Sequence, residues 1–208
     1  CGRALKHTVH LDKVKAEQFV LPIGKKKIHV IGINPSQITT EDLAVSLQPA
    51  ANYVPTDGYS KVAAVERHHN TGKIGVAVAK GYGIRNGAVA SSVSHDSHNI
   101  IVIGDNDRDM ALAVDEIIRT QGGYTVVENG EVFETLPLPI MGLMSDAGFE
   151  SVNETLGRMI KKAHEMGVPA DIEPFITLSF LALPVIPTLR ITPRGLCLLT
   201  AKGPEILQ

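Results

Sequence analysis

Residues 61–104 read KVAAVERHHNTGKIGVAVAKGYGIRNGAVASSVSHDSHNIIVIG, and the parsing of this stretch decides the fold. Four short apolar runs (61–67, 73–80, 88–93 and 99–104) are separated by HHNTG (68–72), GYGIRNG (81–87) and SHDSH (94–98). Runs rich in β-branched residues, broken by Gly, Asn and Asp, are the pattern of antiparallel hairpins. Strands that reverse at each turn put alternate turns on the same edge of a sheet. HHNTG and SHDSH are therefore expected at one edge, with GYGIRNG at the other.

Upstream, IHVIGI (28–33) predicts a strand closed by the turn NPS, and TTEDLAVSL (39–47) predicts a short helix capped by Thr39 or Thr40. Downstream, residues 105–123 predict a helix with the stripe Met110, Val114, Ile117, Ile118 and Gln121. Asp105 or Asp107 would cap it and Gly122–Gly123 would stop it in a left-handed conformation. Asn129–Gly130 centres a hairpin in YTVVENGEVFETLPLP. A second helix is expected over 152–166, started by a Ser151–Glu154 capping box and ended by Gly167 and Pro169. An apolar, proline-punctuated segment covers 175–192. Some eight strands in an order that is not alternating βαβ predict the α+β class: layered, mostly antiparallel β-sheets with two or three helices, not a TIM barrel. Residues 1–26 read as a linker or a strand of a neighbouring domain, and 27–208 as one domain.

With 208 residues the chain can bury a substantial core. Aromatic residues are only 4% with no Trp, so that core must rest on Val, Ile, Leu and Ala. A net charge of −2 gives no electrostatic reason to expect nucleic acid or an anionic membrane as partner. Cys1 and Cys197 are too few for a disulfide framework and lack metal-ligand spacing, so free thiols in a cytoplasmic protein are expected. The first ten residues hold no apolar signal segment, and FITLSFLALPVIPTL (175–189) is broken by Pro184 and Pro187. The chain does not begin with Met, which reads as a fragment or a processed protein.

The expected edge gathers His68, His69, His95, Asp96 and His98. Imidazole and carboxylate groups can bind a divalent metal or move protons near neutral pH. HDSH and HH match no established ligand spacing, however, and Ser, Asp and His are ordinary turn residues that bond their own backbone. A satisfied polar turn therefore stands beside the functional reading. GYGIRNG lies between two strands and so lacks the context of a dinucleotide fingerprint. GDNDRD lacks the glycine and glutamate of an EF-hand and is better read as a helix start. The pair in HTVH (7–10) reads as incidental, and G-x-S-x-G, P-loop and HExxH motifs are absent.

Three segments together resemble a known family: VERHHNTGKIGVAVAKGYGIRNGAVASSVSHDSHNIIVIGDNDRDMALAV (65–114), LPLPIMGLMS (136–145) and LSFLALPVIPTLRITPRGL (178–196). Their order and spacing, from about Ile28 to Leu196, are similar to the C-terminal domain of microbial adenine deaminases, in the amidohydrolase superfamily. The resemblance implies a parent enzyme of purine salvage that hydrolyses adenine to hypoxanthine and ammonia. It implies a divalent metal, manganese or iron, that activates water for attack at C6. In the family the metal ligands lie on an N-terminal barrel with a His-x-His pair, which this sequence lacks. The partners implied are that barrel, adenine and further copies in a homo-oligomer, while the chain alone is expected to be inactive. His95, Asp96 and His98 become candidates for binding substrate, moving protons or supporting the metal's ligands. His68, His69, Glu66 and Asn99 become binding candidates, and no metal ligand is assigned. A structural or oligomerisation domain without catalytic residues is the alternative, and a metal held by the histidine edge itself is a third reading. After GLC the tail LLTAKGPEILQ departs from the family pattern, which leaves the last strand open.

Overall fold

The computed structural model describes residues 5–24, 27–56 and 58–207. It contains an eight-stranded mixed sheet, a three-stranded sheet and three α-helices. The large sheet runs β2-β1-β4-β3-β6-β5-β7-β8. In chain order these strands are β1 (Ile28–Ile33), β2 (Thr40–Val45), β3 (Tyr59–Val65), β4 (Ile74–Lys80), β5 (Gly87–Ser91), β6 (Ile100–Gly104), β7 (Gly123–Glu128) and β8 (Glu131–Pro137). All pairings are antiparallel except β1–β4. The small sheet, β11-β10-β9, comprises β9 (Leu189–Thr192), β10 (Gly195–Thr200) and β11 (Gly203–Ile206), so the tail closes as a hairpin.

The central strands are apolar on both faces because both are covered. Ala63 and Val65 of β3, with Ile100 and Val102 of β6, pack under α1 (Asp107–Thr120) and against Val9, Val14 and Phe19 of the N-terminal segment. Their neighbours Val62, Ala64, Ile101 and Ile103 face α2 (Phe149–Glu165), α3 (Pro174–Leu181) and β9. Period-two alternation thus feeds two cores from one strand. Of the segment 1–26, residues 5–24 lie against this body, with Phe19 wholly buried.

Three expectations need correction. The stretch 39–47 is not a helix: Thr40–Val45 forms β2, paired from Ile28–Val45 to Ile33–Thr40. A helix there would leave one edge of β1 without its ladder. Thr40 caps no helix; its hydroxyl donates to Leu189 O at 2.8 Å and accepts from Thr188 N and Leu189 N. Helix α1 is capped by Asn106, whose side chain accepts from Asp109 N at 2.8 Å. Of the acidic neighbours, Asp105 instead binds Asn86 N and Gly87 N, and Asp107 pairs with Lys61. Helix α2 begins at Phe149 after Gly148, not at a Ser151 box. The proline-punctuated segment supplies the third helix, α3, with Glu173 as N-cap accepting from Ile176 N.

Candidate functional site

The four-strand stretch is two hairpins, β3–β4 and β5–β6, set side by side through β3–β6. Both turns still emerge at one edge, as the sequence predicts. The order β4-β3-β6-β5 decides which residues meet there. A simple meander would set Lys73 near Val93; the observed order sets residues 66–68 beside 98–99.

Arg67 lies at the centre of that edge and was not a sequence candidate. Continuing the alternation Ala63, Val65, it points inward and is 2% exposed. Its guanidinium donates to His98 O, to Met141 O at 3.0 Å and to Thr8 Oγ1 at 3.4 Å. Burial lowers its pKa to about 10, yet it stays cationic at neutral pH, and its side-chain partners among the described residues are all neutral oxygens. Gly142 makes room for it, since a Cβ there would lie 2.3 Å from Nη1. The only signal for Arg67 in the sequence is the inward phase of KVAAVER.

His68 Nε2 donates to Ser97 O at 2.7 Å, which ties the two turns together. Asn99 is buried, accepts from Arg67 N and donates to Ser97 Oγ. The Glu66 carboxylate accepts from His68 N, His69 N, Thr71 N and Thr71 Oγ1. Burial raises its pKa, but these hydrogen bonds outweigh burial and hold it below the usual value. His69 is exposed.

His98 is half-buried and accepts the Ser94 amide on Nδ1 at 3.3 Å, so the neutral ring carries its proton on Nε2. Burial, then the charges of His95 and Arg67, lower its pKa, against a smaller opposing pull from Asp96. The His95 ring lies 4.9 Å from the Phe180 ring and 5.7 Å from that of His98, while Asp96 is exposed, 3.9 Å from His95 Nδ1. Phe180 and Ser179, whose carbonyl accepts from His95 N at 2.9 Å, were also missed. They come from α3, and no spacing in the sequence links that segment to SHDSH.

Exposed apolar side chains flank these polar groups. Met141 (43% exposed) and Met144 (52%) lie on the Arg67 side, and Ile176 (57%) and Val185 (66%) on the Phe180 side. A cavity of about 280 Å³ under the turn joins Asp96, Ser97 and Asn99 to Ala182–Val185. Among the described residues, no group of three His, Cys, Asp or Glu side chains could hold a metal ion. Cys197 is free and buried, whereas Cys1 lies outside the described residues. No helix among the described residues is long and apolar enough to cross a membrane.

By class the chain is a layered α+β domain that presents histidines at one edge of its large sheet. Comparison with known proteins specifies the class. The adenine deaminase C-terminal domain family matches residues 37–202. Adenine deaminase of Desulfitobacterium hafniense (strain Y51) is 50% identical over 198 residues, 94% of this chain and 35% of the relative. That of Nitratidesulfovibrio vulgaris (strain DP4) is 48% identical over 196 residues, 93% of this chain and 34% of the relative. Adenine deaminase 2 of Carboxydothermus hydrogenoformans is 42% identical over 197 residues, 93% of this chain and 35% of the relative. The chain belongs to the adenine deaminase C-terminal domain family, and it spans about a third of the length of these curated relatives.

Proposed function

We propose that the chain is the C-terminal part of a cytoplasmic, homo-oligomeric adenine deaminase of purine salvage, and that its histidine edge closes over a catalytic site in the rest of the polypeptide. The reaction is hydrolysis of adenine to hypoxanthine and ammonia. The observation that carries this reading is the anatomy of the edge: His95, His98 and the Arg67 cation sit between exposed apolar flanks, Met141–Met144 and Ile176–Val185. Such flanks exclude water when covered, and polar groups between them then act at low dielectric.

In this reading a divalent metal, manganese or iron, is held by residues in the rest of the polypeptide. What this chain contributes is orientation and hydrogen bonding. His98, neutral and protonated on Nε2, is a fixed donor suited to a ring nitrogen of a purine. His95 is held against the Phe180 ring and beside His98, where its imidazole can hydrogen-bond to a bound group. The chain on its own has no deaminase activity in this reading.

A second reading, a structural or oligomerisation domain, draws support from the bonds that occupy Glu66 within its own turn and tie His68 to the neighbouring one. Kinetics of the full-length enzyme separate the two. His95→Ala and His98→Ala should lower turnover on the order of 10²-fold, the scale of a lost proton-transfer or positioning group, at unchanged unfolding midpoint. Wild-type kinetics in both variants would remove the catalytic role and leave the structural one.

A further inference from the structure

The large sheet is not closed along its whole length. β1 runs parallel to β4 but pairs with it only at Ile31–Ala79 and Gly32–Lys80. Toward the histidine edge, where Ile74 pairs with Val65, the two strands part. A groove of about 540 Å³ opens between them, walled by 21–24 and 27–29 on one side, by 74–78 on the other, and by 193–196 with Leu207.

Five consecutive residues of β4 line this groove. Successive side chains of a strand point to opposite faces, so a cavity on one face would touch alternate residues. Contact with every residue from Ile74 to Val78 means that the groove follows the strand's edge, where main-chain N–H and C=O groups point. The turn between β9 and β10 closes down beside it. A Cβ on Gly75 would stand 2.0 Å from Thr192 O, so only glycine admits this wall.

The charge of the groove has one sign. Lys27, His29 and Arg194 line it, and no acidic residue does among the described residues. His29 shares its Nδ1 with Asp42 at 2.9 Å, whereas Lys27 and Arg194 make no ion pair among the described residues. The rest of the lining is Gly, Pro, Ala and branched aliphatic side chains.

We infer that this groove receives an extended, acidic–apolar segment from the part of the polypeptide outside the 208 residues, added as a strand along β4. Five residues of edge span roughly 17 Å at strand rise, enough for a short ladder. Main-chain bonds to β4 would hold the segment, apolar side chains would fill the aliphatic walls, and carboxylates would meet Lys27 and Arg194. The source follows from length: the relatives are about three times as long as this chain. The inference rests on the chain being one part of a longer polypeptide and not on any role of the histidine edge.

The test is site-directed photo-cross-linking in the full-length protein. A benzophenone maleimide is placed at Pro193→Cys, or at His29→Cys on the opposite wall, in a Cys1→Ser background. Expected is an intramolecular cross-link from both positions to one segment outside residues 1–208, rich in Asp or Glu and aliphatic residues. Its yield should fall at least severalfold in Lys27→Glu/Arg194→Glu. Cross-links confined to residues 1–208, cross-links between two copies, or no cross-link would each overturn the assignment. A yield indifferent to the charge reversal would overturn the acidic chemistry. Turnover of the histidine variants does not bear on this result, so the two readings fail separately.

Discussion

Strand β3 carries a buried cation near each end, and the two are held in different ways. Lys61, fully buried, donates to Asp107 Oδ1 and Asn52 Oδ1 at 2.6 Å each and to Phe19 O at 3.0 Å. Asn52 in turn donates to Asp107 Oδ2 and accepts from Leu21 N. Burial lowers the Lys61 pKa, and Asp107 partly restores it. Charge, hydrogen bonds and chain crossings all close within this cluster, which joins the N-terminal segment, β3 and α1. Arg67, beyond the other end, meets carbonyl and hydroxyl oxygens but no carboxylate among the described residues, which leave its positive charge uncancelled. A closed cluster serves the fold. An open one leaves an electric field at an edge where half-exposed imidazoles wait.

The contrast can be broken at several points. The largest effect is expected at Lys61: Lys61→Met strands the Asp107 carboxylate, which is 15% exposed, and should cost about 3 kcal/mol in denaturant unfolding. Lys61→Met/Asp107→Asn should recover part of that loss. A cost below about 1 kcal/mol would mean that the cluster is not the closed structural element described here.

Gly142→Ala tests the opposite end. The residue has φ +72° and abuts the guanidinium, so a cost of about 2 kcal/mol is expected from strain and displacement of Arg67. A variant as stable as wild type would show that Arg67 is loosely held.

The smallest effect is on pH dependence. The Glu66 pKa is lowered from 4.5 in the folded chain. The unfolded chain then binds the proton more readily, so this contribution is complete above 4.5 and is lost as pH falls through the folded value. His98, lowered from 6.5, acts in the same direction in a higher window: stability rises with pH just below 6.5. Glu66→Gln should flatten the lower limb of unfolding midpoint against pH and leave the upper one. His98→Gln should do the reverse, and an unchanged profile in either variant would refute the corresponding assignment.

Local chemistry made most elements legible in the sequence. Gly, Asn and Asp marked the turns at 68–72, 81–87, 94–98 and 129–130, and the 3.6-residue stripe marked α1. Thr40–Val45 misled because Thr-Thr-Glu-Asp is good helix-start chemistry; the ladder offered by β1 overrode it. The position of the histidine edge followed from strand reversal alone, but its contacts did not. Strand order within the sheet is a long-range choice, and the partners of His95 and His98 come from α3, from Arg67 and from one another. Buried Arg67 and Arg190 were hidden for a related reason. Arg190 is enclosed by the carbonyls of Ile38, Ile186 and Pro187, partners that only the tertiary fold supplies.

The side-by-side hairpins bear on when the edge comes into being. β3–β4 and β5–β6 each close across a short turn, which is fast and local. The contact that sets Arg67 against His98 belongs to neither hairpin. It exists only after β3 and β6 pair, across 31 residues of sequence, and non-local pairing is the slow step of such topologies. The assembled edge therefore depends on the central β3–β6 ladder and not on either hairpin alone.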